Sequence, residues 1–95
     1  MKSRETENKT AFMTCIELVL MRRGNTHYHL VLAKLQAYYN CGIFECLDHP
    51  EYLRTVLKEV YHKDYNSVLD DISAESERLV DMDKFKANFF KVMES

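Results

Sequence analysis

Two cysteines and a histidine stand within nine residues of one another in the stretch YYNCGIFECLDHPEYL, residues 38–53. Thiolate and imidazole are the ligands zinc prefers, and a structural site closes a tetrahedron with four of them. The spacing of Cys41, Cys46 and His49 supplies three, so the fourth has to come from Cys15, His27, His29 or His62. A first pair of zinc ligands usually stands two to four residues apart, which puts this cluster at the edge of the range. Redox chemistry is the second use of such a pair. Four intervening residues let two Cα atoms reach the roughly 4.4–6.8 Å that a disulfide needs. Cys46 also precedes a helix start, where the dipole is expected to lower a thiol pKa. The plainest reading is that both cysteines are buried as small hydrophobes and His49 simply begins a helix.

Other reactive groups fall short of a site. His27 and His29 stand two apart, so on a helix they point about 200° from each other. Asp70 and Asp71 likewise take different sides of a helix. A nucleophile needs a base and a group that orients the base, and nothing in the sequence supplies the third member for Cys46 and His49. The two glycines are isolated, so no glycine-rich loop exists to cradle a phosphate. The chain is expected not to be an enzyme, and to need no cofactor unless the cysteine cluster holds zinc.

The elements that position these groups read as helices. With 95 residues there is room for one core. Two glycines and one proline are too few for the turns of an all-β domain. The first helix is expected from about Thr6 to Arg22, with Phe12, Ile16, Val19 and Leu20 on one stripe and Gly24 as its left-handed cap. Thr26 is the expected N-cap of the second, which buries Tyr28, Val31, Leu32, Leu35, Tyr38 and Tyr39 and ends at Asn40 to Gly42. Pro50 fits the first turn of the third. Asp48 and Glu51 suit a capping box there, with His49 as the alternative cap. Leu53, Val56, Leu57, Val60 and Tyr61 form its stripe. A fourth helix begins near Asp64 and turns Tyr65, Val68, Leu69, Ile72 and later Leu79 inward. Asp81 caps the last, with Met82, Phe85, Phe89 and Met93 on one side. The stretch CGIFECL is a loop or single helical turn whose Ile43, Phe44 and Leu47 plug the core. The fold class is all-α: one compact domain of four to five helices over residues 1–95, with 1–5 disordered.

Composition narrows the partners. The net charge is −2, and no cluster of lysine or arginine suggests a nucleic-acid footprint. The polar start is neither a signal nor a transit peptide. No apolar run approaches the roughly 18 residues needed to cross a bilayer. An odd cysteine count of three suits a reducing compartment. A cytoplasmic protein that touches neither membrane nor nucleic acid is expected. Six tyrosines and five phenylalanines point instead to contact with protein. The last helix carries Phe89, Phe90 and Met93, more apolar surface than five helices are expected to cover, so these three are the expected contacts of a homodimer or a partner-binding groove.

The stretch from Tyr28 onward resembles the thaumarchaeal output-domain family of archaeal helical modules. The matching residues are Tyr28 to Leu30, Cys41, Cys46, His49 to Leu53 and Val56 to Tyr61. The resemblance implies a small helical module with a part in signalling or regulation, and no catalytic residues. The function expected is therefore a non-enzymatic regulatory or protein-interaction module, dimeric through apolar helix faces. The alternative is a small metal- or redox-sensing protein built on Cys41, Cys46 and His49.

Overall fold

Among the described residues five α-helices follow in chain order: α1 (Arg4–Arg22), α2 (Asn25–Tyr39), α3 (Pro50–Tyr61), α4 (Tyr65–Ser76) and α5 (Asp83–Glu94). Two short 3-10 turns, Ile43–Leu47 and His62–Asp64, flank α3. The computed structural model describes residues 4–79 and 82–95, without side chains for 4–7 or 47. Residues 1–3 of the segment expected to be disordered, and the expected cap Asp81, lie outside the described residues. Arg4 and Glu5 already stand in α1.

Each helix buries a stripe at helical spacing. On α1 the stripe is Phe12, Met13, Ile16, Val19 and Leu20, and on α3 it is Leu53, Val56, Leu57, Val60 and Tyr61. Helix α3 packs against α2, α4 and α5, while α1 packs against α2 and α4. The Cα radius of gyration is 12.7 Å, against about 12.4 Å expected for a single compact domain of this length. The fold is all-α, in one globule.

Helix ends differ in detail from the sequence expectation. Gly24 carries φ 127° and is the N-cap of α2, so Thr26 lies inside the first turn. No side chain caps α3 at His49. The acceptor expected in a box at Asp48 and Glu51 works one turn earlier, where the Glu45 carboxylate accepts from the Gly42 N–H. Asn40 closes α2 with φ 53°, its N–H donating to the Gln36 carbonyl at 3.0 Å.

The core joins α5 to α1 through aromatic edges. Phe12 meets Phe85, Phe89 and Phe90 edge-on, with centroids 5.4, 4.9 and 6.2 Å away. Phe89 and Met93 are 2% and 0% exposed. The expectation that Phe89, Phe90 and Met93 form a docking stripe is therefore corrected. Two of them are core residues and Phe90 packs beside them, because α3 and Phe12 of α1 supply the cover that the last helix lacks alone.

Two buried phenols make opposite predictions. The Tyr65 hydroxyl donates to the Met93 carbonyl at 2.5 Å, and burial pushes its pKa up to about 12. The Tyr61 hydroxyl is buried with no partner among the described residues. Losing a paired buried hydroxyl strands its acceptor, whereas losing an unpaired one removes a desolvation cost. Tyr65→Phe is expected to lower unfolding stability by about 1 kcal/mol. Tyr61→Phe is expected to leave it unchanged or raise it. Urea denaturation of the two variants reads the difference in sign.

Candidate aromatic docking site at the α2–α3 connection

The connection from the end of α2 to the start of α3 carries every group singled out first, and the structure sorts them into two layers. Cys41 and Cys46 lie inside, 9% and 1% exposed. The two thiols are neighbours that shift each other's titration, and the Cys46 thiol approaches the Gly42 carbonyl at 3.8 Å. A 3-10 turn repeats every three residues, so positions 43 and 46 fall on one face. Ile43 and Cys46 therefore point inward, and Phe44 points out at 39% exposure. Phe44 does not plug the core as expected. The side chain of Leu47 is not among those described.

His49 belongs to the outer layer. Its ring stacks on Tyr52 with centroids 4.5 Å apart and 10° between planes, and its Nδ1 stands 3.3 Å from a Glu51 oxygen. Tyr52 in turn stacks on Tyr39 at 4.0 Å and 5°. Three parallel rings, His49, Tyr52 and Tyr39, thus tie the start of α3 to the end of α2. Tyr38 meets the edge of Tyr39 at 6.2 Å and is itself 47% exposed. It is held in place across the helix pair: its hydroxyl donates to Glu59 at 2.7 Å, and Lys34 reaches both. The Tyr38 hydroxyl first, then Lys34, hold the Glu59 carboxyl below its ordinary pKa. Glu45, Asp48 and Glu51 are exposed on this same connection, so its rim is acidic.

The dipole effect expected at Cys46 does not prevail. Burial, then the neighbouring Cys41 thiol and the Glu45 and Glu51 carboxylates, push its pKa up to about 12. A thiol so placed stays protonated and is a poor nucleophile. Among the described residues no fourth ligand joins Cys41, Cys46 and His49. Cys15 sits on α1, where its sulfur accepts from Arg78 at 3.7 Å and faces the Glu75 carbonyl at 4.0 Å. His27 lies against the Tyr61 ring, and His29 against Tyr28. Among the described residues, no three His, Cys, Asp or Glu side chains gather where one metal ion could be held. Nor is any described helix long and apolar enough to cross a membrane.

A second concave surface lies between α1 and α4, a groove of about 280 Å³ lined by Val19, Arg22, Asp71, Ala74 and Glu75. Its charges are already matched: Arg22 pairs with Glu75 at 3.0 Å, Arg78 joins Glu75 at 3.3 Å, and Arg23 bonds Asp71. The doublet Arg22-Arg23 thus ends α1 and ties it to α4. The Arg22 hydrogen bond holds the Glu75 carboxyl below its ordinary value of 4.5, overcoming the opposing effect of burial. A depressed folded-state pKa gives stability that is present above the unfolded value and is lost as pH falls through the folded one. Stability is therefore expected to fall as pH drops below about 4.5, and Glu75→Gln to flatten that fall. Thermal melts from pH 6 to pH 3 measure it, and identical slopes for both chains would contradict the assignment.

No protein-family model matches the chain, and neither a curated protein nor a solved structure does.

Proposed function

We propose that this chain is a non-enzymatic, regulatory protein-interaction module whose docking surface is the α2–α3 connection. Tyr38, Tyr39, Phe44, His49 and Tyr52 would receive a basic segment of another protein. The observation that carries this reading is the His49–Tyr52–Tyr39 stack. A rigid stack, half-buried at Tyr39 and Tyr52 and exposed at His49, presents contact area that costs little entropy to order. Charge selects the partner's chemistry. Glu45, Asp48 and Glu51 surround the rings with carboxylates, and guanidinium groups both pair with carboxylates and lie flat on tyrosine faces. A second copy of this chain would bring like charges together, so the basic partner is favoured over the homodimer. The likeness to archaeal output domains supports the regulatory role, and three free thiols support a cytoplasmic setting.

Fluorescence anisotropy with a labelled arginine–leucine peptide tests the reading, alongside sedimentation equilibrium of the chain alone. Binding that weakens as salt rises is expected, with a further loss of at least about tenfold in the double variant Tyr38→Ser, Phe44→Ser. Both residues are exposed, so the variant should keep its helix content. The chain alone is expected to sediment as a monomer. A dimer abolished by the same double variant would make a second copy the occupant and overturn the proposal. So would peptide binding that ignores the variant.

A further inference from the structure

The inner layer of the connection holds two thiols that no interaction role requires. Both are free, both are buried, and the two are neighbours close enough to shift each other's titration. The chain between them is one 3-10 turn, fixed by the Glu45 N–H on the Gly42 carbonyl at 3.2 Å and by the Gly42 N–H on the Glu45 carboxylate. The third cysteine is engaged elsewhere by Arg78, and His49 is turned onto Tyr52. Two buried thiols at the ends of one turn, with no group of three metal-ligating side chains among the described residues, have the makings of a cross-link and not of a metal site.

We propose that Cys41 and Cys46 are a reversible disulfide site, closed by a low-molecular-weight disulfide of the oxidised-glutathione class. Cys41 is the less buried thiol and reacts first. Its thiolate attacks one sulfur of the reagent, which forms a mixed disulfide and releases one thiolate. The Cys46 thiolate then attacks the Cys41 sulfur and expels the second. Two protons leave the protein thiols and two reagent thiols are produced. The reagent is reduced by two electrons and the protein is oxidised by two. Closure links the two ends of this one turn. It also staples the chain between Tyr39 and Tyr52, which clamps the ring stack above it.

The same burial sets the rate. Both thiols have raised pKa values, Cys46 to about 12, so thiolate is scarce at neutral pH. Thiol–disulfide exchange runs through the thiolate, so closure should accelerate by about tenfold per pH unit between pH 7 and pH 9.

The test is oxidation of the full chain by excess oxidised glutathione, with acid quenching, alkylation and peptide mapping. Trypsin leaves both cysteines in the one segment 35–54 and Cys15 in another. The expected product has segment 35–54 about 2 Da lighter and unalkylated, with Cys15 still alkylated and full reversal by dithiothreitol. Cys41→Ser and Cys46→Ser chains should stop at a mixed disulfide or not react. If either variant fails to fold, the map of the natural chain decides alone. Full alkylation of segment 35–54 after long exposure at pH 9 would overturn the proposal. A cross-link to Cys15, or between chains, would overturn it equally.

Discussion

Replacing Phe12 by alanine is expected to lower unfolding stability by roughly 3–5 kcal/mol. A domain of this length is stable by only about 5–14 kcal/mol, so the variant stands near the threshold of folding. The size follows from position. Phe12 is fully buried and touches Phe85, Phe89 and Phe90, which together form the aromatic seam between α1 and α5. Truncation removes the ring, leaves a cavity that rigid helices fill only in part, and orphans three edge-to-face contacts worth about 0.5–1.5 kcal/mol each. Phe12→Leu keeps most of the volume and should cost less than half as much. Urea denaturation of both variants measures the difference. A loss below about 1 kcal/mol for alanine would mean that α5 does not depend on α1 for cover.

Lys86 carries the second large effect. Its ammonium donates to the carbonyls of Ser76 at 2.9 Å and Leu79 at 2.7 Å. These lie at and beyond the end of α4, where carbonyls lack helical partners and the dipole is negative. One side chain of α5 thus closes the helix before it. Lys86→Met keeps the aliphatic stem but removes both bonds, and is expected to cost about 2 kcal/mol. Lys86→Arg should recover part of that loss. Hydrogen exchange adds a local readout: amides near the end of α4 should lose protection in the methionine variant before those of α3 do. Uniform loss over all helices would contradict a capping role.

Local pattern in the sequence reaches far into this fold, and stops where contacts become distant. The stripe of α3 and the place of Pro50 follow from residues within one turn of each other. So does the amphipathic face of α5. What covers that face is α3 together with Phe12, more than seventy residues earlier, and nothing in the periodicity of α5 announces either. The expected docking stripe was therefore the right face with the wrong role. Within the α2–α3 connection the error has a different cause. Ile43 turns inward as expected, but a free loop would bury Phe44 with it, whereas the three-residue period of the 3-10 turn places Cys46 with Ile43 and ejects Phe44. His49 was grouped with the cysteines by proximity in sequence. At three residues' spacing its ring meets Tyr52 instead, and only the tertiary approach of α2 adds Tyr39. The signal for that stack was present as Y-Y at 38–39 and H-P-E-Y at 49–52, but pairing them needs the packing of α2 on α3. At Cys46 the helix dipole is outweighed. A helix end supplies a fraction of a charge, which burial and two nearby carboxylates outweigh.

Tyr38, Phe44 and His49 stand exposed on the α2–α3 connection, and with the half-buried Tyr39 and Tyr52 they form the proposed docking surface for a basic partner. The most direct measurement is the backbone amide spectrum of the chain, recorded by NMR as an arginine–leucine peptide is added at low salt. Shifts concentrated at residues 38–52, saturating with peptide and suppressed by salt, are the predicted result. Shifts confined to the α1–α4 groove, or none at millimolar peptide, would contradict it.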